Sequence, residues 1–176
     1  KSTLISALKR DFNANLLPSW TTREKRPNFL GEEIYSHITK EQYIDKLKLD
    51  HFFLNSEVAG NYYGTTYEDM NNSINSTDIW LTDLTADSVL DLLQSGYTPS
   101  ISIVLMISKE VSLMRMKARG DSVSSIEARL KRYDIEKKNC ELLIEKKSDT
   151  ILVDGEIGRN SVTKIVVDLL WKIHGN

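Results

Sequence analysis

The chain has 176 residues, 40% of them hydrophobic and 27% charged, with a formal net charge of −2. That length suits one domain with a substantial core and small lids, and the composition excludes collagen-like, disulfide-stapled and largely disordered chains. The near-neutral charge gives no reason to expect nucleic acid or a membrane as partner, and no apolar run approaches bilayer length. In chain order, Ser2–Phe12 reads as a helix with Leu4, Ile5 and Leu8 on one face. Leu16-Leu17 leads through Pro18 into the polar run Ser19–Arg26, a strand end and loop. Thr39 followed by Gln42 is a capping-box pattern that predicts a helix to about Leu49. Phe52–Leu54 and Glu57–Ala59 are short strand candidates around the turn-rich stretch Gly60–Gly64, and Thr66 caps a helix toward Ile74.

The second half alternates more regularly. Ile79–Leu84 is a strand, Asp87–Gln94 a helix closed by Gly96, and Ile101–Ile107 a strongly apolar strand. A helix over Val111–Arg119 stops at Gly120, and a polar bridge leads to a long helix over Ile126–Lys146. Strand Ile151–Val153 and the amphipathic helix Val162–His174 complete the chain. Strands alternating with long helices indicate an α/β fold with a largely parallel sheet. The segment from about residue 23 to 65 breaks that rhythm and reads as an insertion into a single domain spanning 1–176, whose core is 1–22 and 66–176. A lone Cys140 cannot form an internal disulfide, and Lys1–Arg10 lacks the long apolar centre of a secretory signal, so the expected compartment is the cytoplasm.

Three groups of residues could carry chemistry. Lys1-Ser2-Thr3, directly before an apolar-periodic helix, reads either as the tail of a phosphate-binding loop or as a helix cap with a terminal lysine. In the first reading Lys1 meets the β/γ-phosphates and Ser2 offers its hydroxyl to Mg²⁺. Asp83, ending an apolar strand, either orients the ion's hydration shell or caps the next helix. The second group is Ser19-Trp20-Thr21-Thr22-Arg23-Glu24-Lys25-Arg26-Pro27 with Tyr35 and Gly60-Asn61-Tyr62-Tyr63-Gly64-Thr65. Two guanidinium groups and two phenols can hold a phosphate monoester through charge-assisted hydrogen bonds. Glycines flanking Asn61–Tyr63 suggest a tight turn that aims a phenol. The third group is Arg115, Arg119 and Arg129 around the loop 120–125; the first two lie four apart on one helical face, where like charges repel unless an anion or nearby acids such as Glu127 and Glu136 offset them. His37, His51 and His174 show no metal-site spacing, and Cys140 reads as a core residue.

Taken together, these segments resemble the guanylate kinase family of nucleoside monophosphate kinases. The resemblance runs from Lys1 to the final helix and rests on Thr21-Thr22-Arg23-x-x-Arg26-Pro27, Tyr35, Gly60–Thr65, and Arg115–Gly120 followed by Ile126–Leu130. It implies a P-loop α/β/α fold in three layers with a central parallel sheet, an inserted lid over the monophosphate and a small ATP lid at about 115–130. It implies ATP and Mg²⁺ as cofactors, a small-molecule nucleotide acceptor (GMP or dGMP by family default), and a monomer or homodimer. By position, Arg23, Arg26, Tyr35 and Tyr63 would grip the acceptor phosphate, while Ser19 and Thr65 face the monophosphate. Lys1, Ser2 and Thr3 would belong to the ATP-phosphate loop, with Asp83 beside the metal. Arg115, Arg119 and Arg129 would close over the transferring group, and Asp154 would border the adenine.

The chain departs from that family where guanine is read. Carboxylates that accept from guanine N1–H and N2–H are replaced by Leu54 and Thr85, and a third acidic position is Phe29. Each buried donor left unsatisfied costs roughly 1–3 kcal/mol. Either Glu57, Glu32 or Glu33 substitutes through a shifted register, with Gly31 one residue early, or the acceptor is a different monophosphate. The alternative to an enzyme is a guanylate-kinase-like module that binds a phosphorylated or acidic partner without turnover. The resemblance also leads to the expectation that a strand and the glycine part of the phosphate loop precede Lys1 in a slightly longer protein.

Overall fold

In a computed structural model, which describes residues 1–25 and 32–174, the chain divides into two units, Lys1–Asp83 and Leu84–Asn176. In the first unit, helix α1 (Ser2–Phe12) buries Leu4, Ala7 and Leu8 and ends at Asn13, whose left-handed backbone (φ 49°) suits that residue type. It is followed by β1 (Asn15–Leu16), β2 (Ser19–Thr21), a 3₁₀ turn over Glu32–Ile34 and β3 (Tyr35–His37). Helix α2 (Lys40–Lys48), β4 (Phe52–Val58), β5 (Asn61–Thr66), α3 (Tyr67–Ile74) and β6 (Trp80–Leu81) complete the unit. The Thr39–Gln42 capping box forms as expected, and Thr66 Oγ1 accepts from Asp69 N at 3.0 Å to start α3.

Two ladders organise this unit. Strands β1 and β6 pair in parallel, Asn15 with Trp80 and Leu16 with Leu81. Strands β3, β2, β5 and β4 form a four-stranded mixed sheet in that order. The hairpin differs from the expected short strands: β4 runs unbroken to Val58, and the stretch expected to turn is itself strand β5. The turn is only Ala59-Gly60, both left-handed (φ 51° and 79°), the geometry that two-residue hairpins favour. Gly64 therefore serves packing, because a Cβ there would lie 2.7 Å from both Phe52 Cδ1 and Tyr43 Oη. Tyr43 is 1% exposed and stacks on Phe52 and Tyr62, with ring centroids at 4.5 and 5.3 Å, while its hydroxyl donates to Tyr63 O at 2.7 Å. Gly64→Ala is expected to cost about 1–3 kcal/mol by overpacking that stack, read as a lower urea midpoint at unchanged m-value.

The second unit contains α4 (Ala86–Gln94), β7 (Ser102–Met106), α5 (Lys109–Arg119), α6 (Val123–Lys146), β8 (Thr150–Asp154) and α7 (Arg159–His174). Strands β7 and β8 pair in parallel from Ser102–Thr150 to Met106–Asp154. Leu90, Val104 and Leu143 form its buried centre, and Cys140 packs against them as a core residue. Gly120 ends α5 in the left-handed conformation (φ 80°), and Ser122 caps α6 only two residues later. Among the described residues the parallel pairings are thus β1–β6 and β2–β3 in the first unit and β7–β8 in the second. No helix among the described residues is long and apolar enough to cross a membrane.

Candidate functional site

In the first unit, the paired threonines explain how Arg23 is aimed. Thr21, fully buried, donates to Tyr62 O at 2.9 Å and accepts from Arg23 N at 3.2 Å. Thr22 Oγ1 accepts from Tyr62 N at 2.9 Å, so both residues pin the end of β2 to β5. The ladder sets Ser19 beside Tyr35, and Thr21 beside Tyr63. Arg23 consequently lies over the Tyr35 ring, 5.1 Å from its centroid, and the Tyr35 and Tyr63 rings meet edge-on at 6.2 Å. Lys1 Nζ lies 2.7 Å from Asp83 Oδ1, and both charges act on the Tyr35 phenol. Three of the four expected phosphate-gripping residues and the Lys1–Asp83 pair thus share one unit. Arg26 lies outside the described residues, as do Phe29 and Gly31.

Burial, with the nearby Asp83 charge, pushes the Tyr35 phenol up from 10.0 to about 12. A neutral phenol remains a hydrogen-bond donor across the whole physiological range. Because the folded value lies above the unfolded one, this group favours the fold fully below pH ~10 and loses that contribution as pH rises toward ~12. The phenolate signal that Tyr35→Phe removes from an alkaline absorbance titration should therefore appear near 12. A midpoint near 10 would contradict the burial.

The sequence named Glu32 only as a candidate reader of the base and gave His37 no site role, yet both belong to this cluster. Glu32 Oε1 accepts from Arg23 Nη2 at 2.7 Å, with the two side chains only 7% and 12% exposed. His37 Nδ1 lies 2.7 Å from Arg23 O, and its Nε2 sits 3.1 Å from Glu32 Oε2 but out of line for a hydrogen bond. Charged side chains are rarely buried without a partner, so a Glu beside the Arg-x-x-Arg segment was the available signal. Leu54 pairs directly across β4–β5 with buried Thr65 and brings no acceptor to that position.

In the second unit, Thr85 is the N-cap of α4: its hydroxyl lies 2.9 Å from Ser88 Oγ. The cap that was the alternative role for Asp83 is therefore Thr85's, while Asp83 faces Lys1. Arg115 Nη2 donates to Gly155 O at 2.8 Å, and Arg119 grips Asp121 with two nitrogens, Nε at 2.8 Å and Nη2 on the other oxygen. That hydrogen-bonded carboxylate raises the Arg119 pKa further. The like-charge strain expected between these arginines is thus met within the chain, by Asp121 and a carbonyl. Glu136 serves Arg132 instead, at 3.4 Å. Arg129 Nε is buried without a hydrogen-bond partner among the described residues. Asp154 Oδ1 accepts from Glu156 N at 2.8 Å, and Glu156 in turn receives Ser108 N at 2.6 Å, which lowers its pKa.

A family model described as guanylate kinase matches residues 1–171. The chain belongs to the guanylate kinase family. It is 33% identical over 133 residues to guanylate kinase of Bartonella henselae, covering 74% of this chain and 60% of that one. It is 27% identical over 158 residues to the guanylate kinase of Fusobacterium nucleatum, covering 89% and 83%. The match thus spans about three fifths of the Bartonella relative's length. A crystal structure of guanylate kinase from Anaplasma phagocytophilum aligns with a TM-score of 0.67 at 19% identity, covering 98% of this chain and 78% of that one. That likeness is one of fold, and with the parallel strand pairs it identifies the P-loop α/β architecture of the family.

Proposed function

We propose that the protein transfers the γ-phosphoryl group of ATP to a nucleoside monophosphate, giving ADP and a nucleoside diphosphate. The observation that carries this reading is the Lys1–Asp83 pair set against the Arg23–Tyr35–Tyr63 cluster. A module that only bound an acidic partner would have no use for an ATP-side lysine and its aspartate. The acceptor phosphate is the nucleophile and already anionic, so no strong general base is required. Arg23, Arg26, Tyr35 and Tyr63 hold it, with Ser19 and Thr65 facing the nucleotide. Lys1, Ser2 and Thr3 meet the ATP phosphates, and Arg115, Arg119 and Arg129 neutralise charge spread over the group in transfer.

Mg²⁺ fits the residues present. The ion takes oxygen ligands and is commonly held by substrate phosphates, waters and one or two protein oxygens. The Ser2 hydroxyl, in the first turn of α1, and the Asp83 carboxylate are oxygens of that kind beside Lys1. When bound, the ion would screen the negative charge of the phosphates.

The acceptor's base is read differently from GMP in the family's usual manner, because Leu54 offers no acceptor to guanine and Thr85 is engaged as a cap. Coupled ADP release with a panel of ribo- and deoxyribonucleoside monophosphates is expected to show turnover and to rank the bases. One observation favours the rival, non-catalytic module: Arg23, on the acceptor side, already holds a carboxylate of its own chain. ATP binding without turnover on any acceptor would establish that module instead.

A further inference from the structure

We propose that Glu32 sets the affinity of the acceptor site, as a resident counter-anion on Arg23 with which the acceptor's phosphate must compete. The inference rests on the reading of Arg23 as a phosphate-gripping residue. Its ground is the placement of one carboxylate. Glu32 Oε1 sits 2.7 Å from Arg23 Nη2, while Arg23 Nη1 donates to Glu24 O at 2.9 Å, so both terminal nitrogens of the fork have a partner within the chain. The pair is shielded from solvent, with Glu32 7% and Arg23 12% exposed, and such charges attract more strongly than a pair in water. The same guanidinium overlies Tyr35, whose ring meets Tyr63, so the carboxylate stands among the side chains expected to hold the acceptor.

A phosphate monoester reaching Arg23 brings up to two negative charges to this carboxylate. Either Glu32 withdraws or the phosphate accepts a weaker hold on the fork. Both routes lower affinity for any phosphate that reaches Arg23. Glu32 thereby makes the phosphate grip alone insufficient: a free phosphate gains little, whereas a nucleotide with further contacts can displace the carboxylate. The cost falls on every phosphate that reaches Arg23, so it sets a threshold that a ligand must clear with contacts beyond the phosphate.

The test uses the full chain and its Glu32→Gln variant, which keeps an oxygen for Arg23 and removes the charge. Calorimetry with inorganic phosphate and with GMP should show at least ~10-fold tighter binding to Glu32→Gln, with the unfolding midpoint confirming an intact fold. Glu145→Gln, which neutralises an exposed acid on α6, should leave both affinities unchanged. Should Glu32→Gln fail to fold, Glu32→Asp, whose shorter side chain holds Arg23 less closely, should tighten phosphate in the same direction. In turnover, Glu32→Gln should lower the acceptor KM at constant kcat, a split that a purely structural role would not produce. Unchanged or weaker phosphate binding, including failure of both forms to bind, overturns the proposal. Tighter phosphate binding with no ADP release from any form upholds the role of Glu32 while removing the kinase reading.

Discussion

Arg119→Ala is expected to lower kcat by ~10³–10⁵ with little change in acceptor KM, the range found where an arginine neutralises a phosphoryl group in transfer. The expectation rests on the proposed role of Arg119 in neutralising the group in transfer. Asp121 accepts from two nitrogens of the guanidinium, so the fork is oriented before any substrate arrives. Arg119→Lys keeps the charge and loses that two-point grip, and should recover only a small part of the rate. Asp121→Asn keeps Arg119 and weakens its support, and should fall between wild type and Arg119→Ala. Steady-state kinetics on the three variants decide the matter, and an Arg119→Ala enzyme with wild-type kcat would remove Arg119 from the reaction.

Arg23→Ala should act twice. On the proposed function it removes a ligand of the acceptor phosphate, and it strands Glu32, a carboxylate only 7% exposed. Removing one partner of a buried ion pair typically costs about 3–5 kcal/mol, because the remaining charge is left uncompensated. The denaturation midpoint of Arg23→Ala should drop accordingly, and Arg23→Ala/Glu32→Gln should regain much of the loss. A non-additive cycle is the mark of the pair. A stability loss under about 1 kcal/mol would mean that Glu32 finds solvent or another partner when Arg23 is gone.

Helix ends were the most legible part of this chain. Thr39, Thr66 and Gly120 act within a few residues of themselves, so their local spacing was enough to place α2, α3 and the end of α5. Strands were harder, since a strand is defined by a partner elsewhere. Tyr35–His37 is a strand because Ser19–Thr21 lies beside it, and nothing in its own three residues announces that pairing. The stretch Gly60–Gly64 looked like a turn from its glycines, but Gly64 is there because Tyr43 and Phe52 press against β5. That Arg23, Tyr35 and Tyr63 come together was legible from motif spacing. The carboxylates that hold the arginines were not, since an acid in a polar loop, as Glu32 and Asp121 both are by sequence, ordinarily points to water.

The ladder of the second unit sets its order of assembly. Every β7–β8 partner lies forty-eight residues along the chain, from Ser102–Thr150 to Met106–Asp154, whereas β4 and β5 close on each other across Ala59-Gly60. The hairpin can zip from its turn, but the parallel pair must first bring distant segments together, and that search is paid in chain entropy before any ladder bond forms. Helices α5 and α6 shorten the search: once they form, the intervening chain is reduced to two rods joined at Gly120–Ser122. Folding of this unit should therefore be governed by that helical hairpin. Proline placed within α6 should slow the appearance of the β7–β8 ladder far more than an equal loss of stability introduced at the β4–β5 turn.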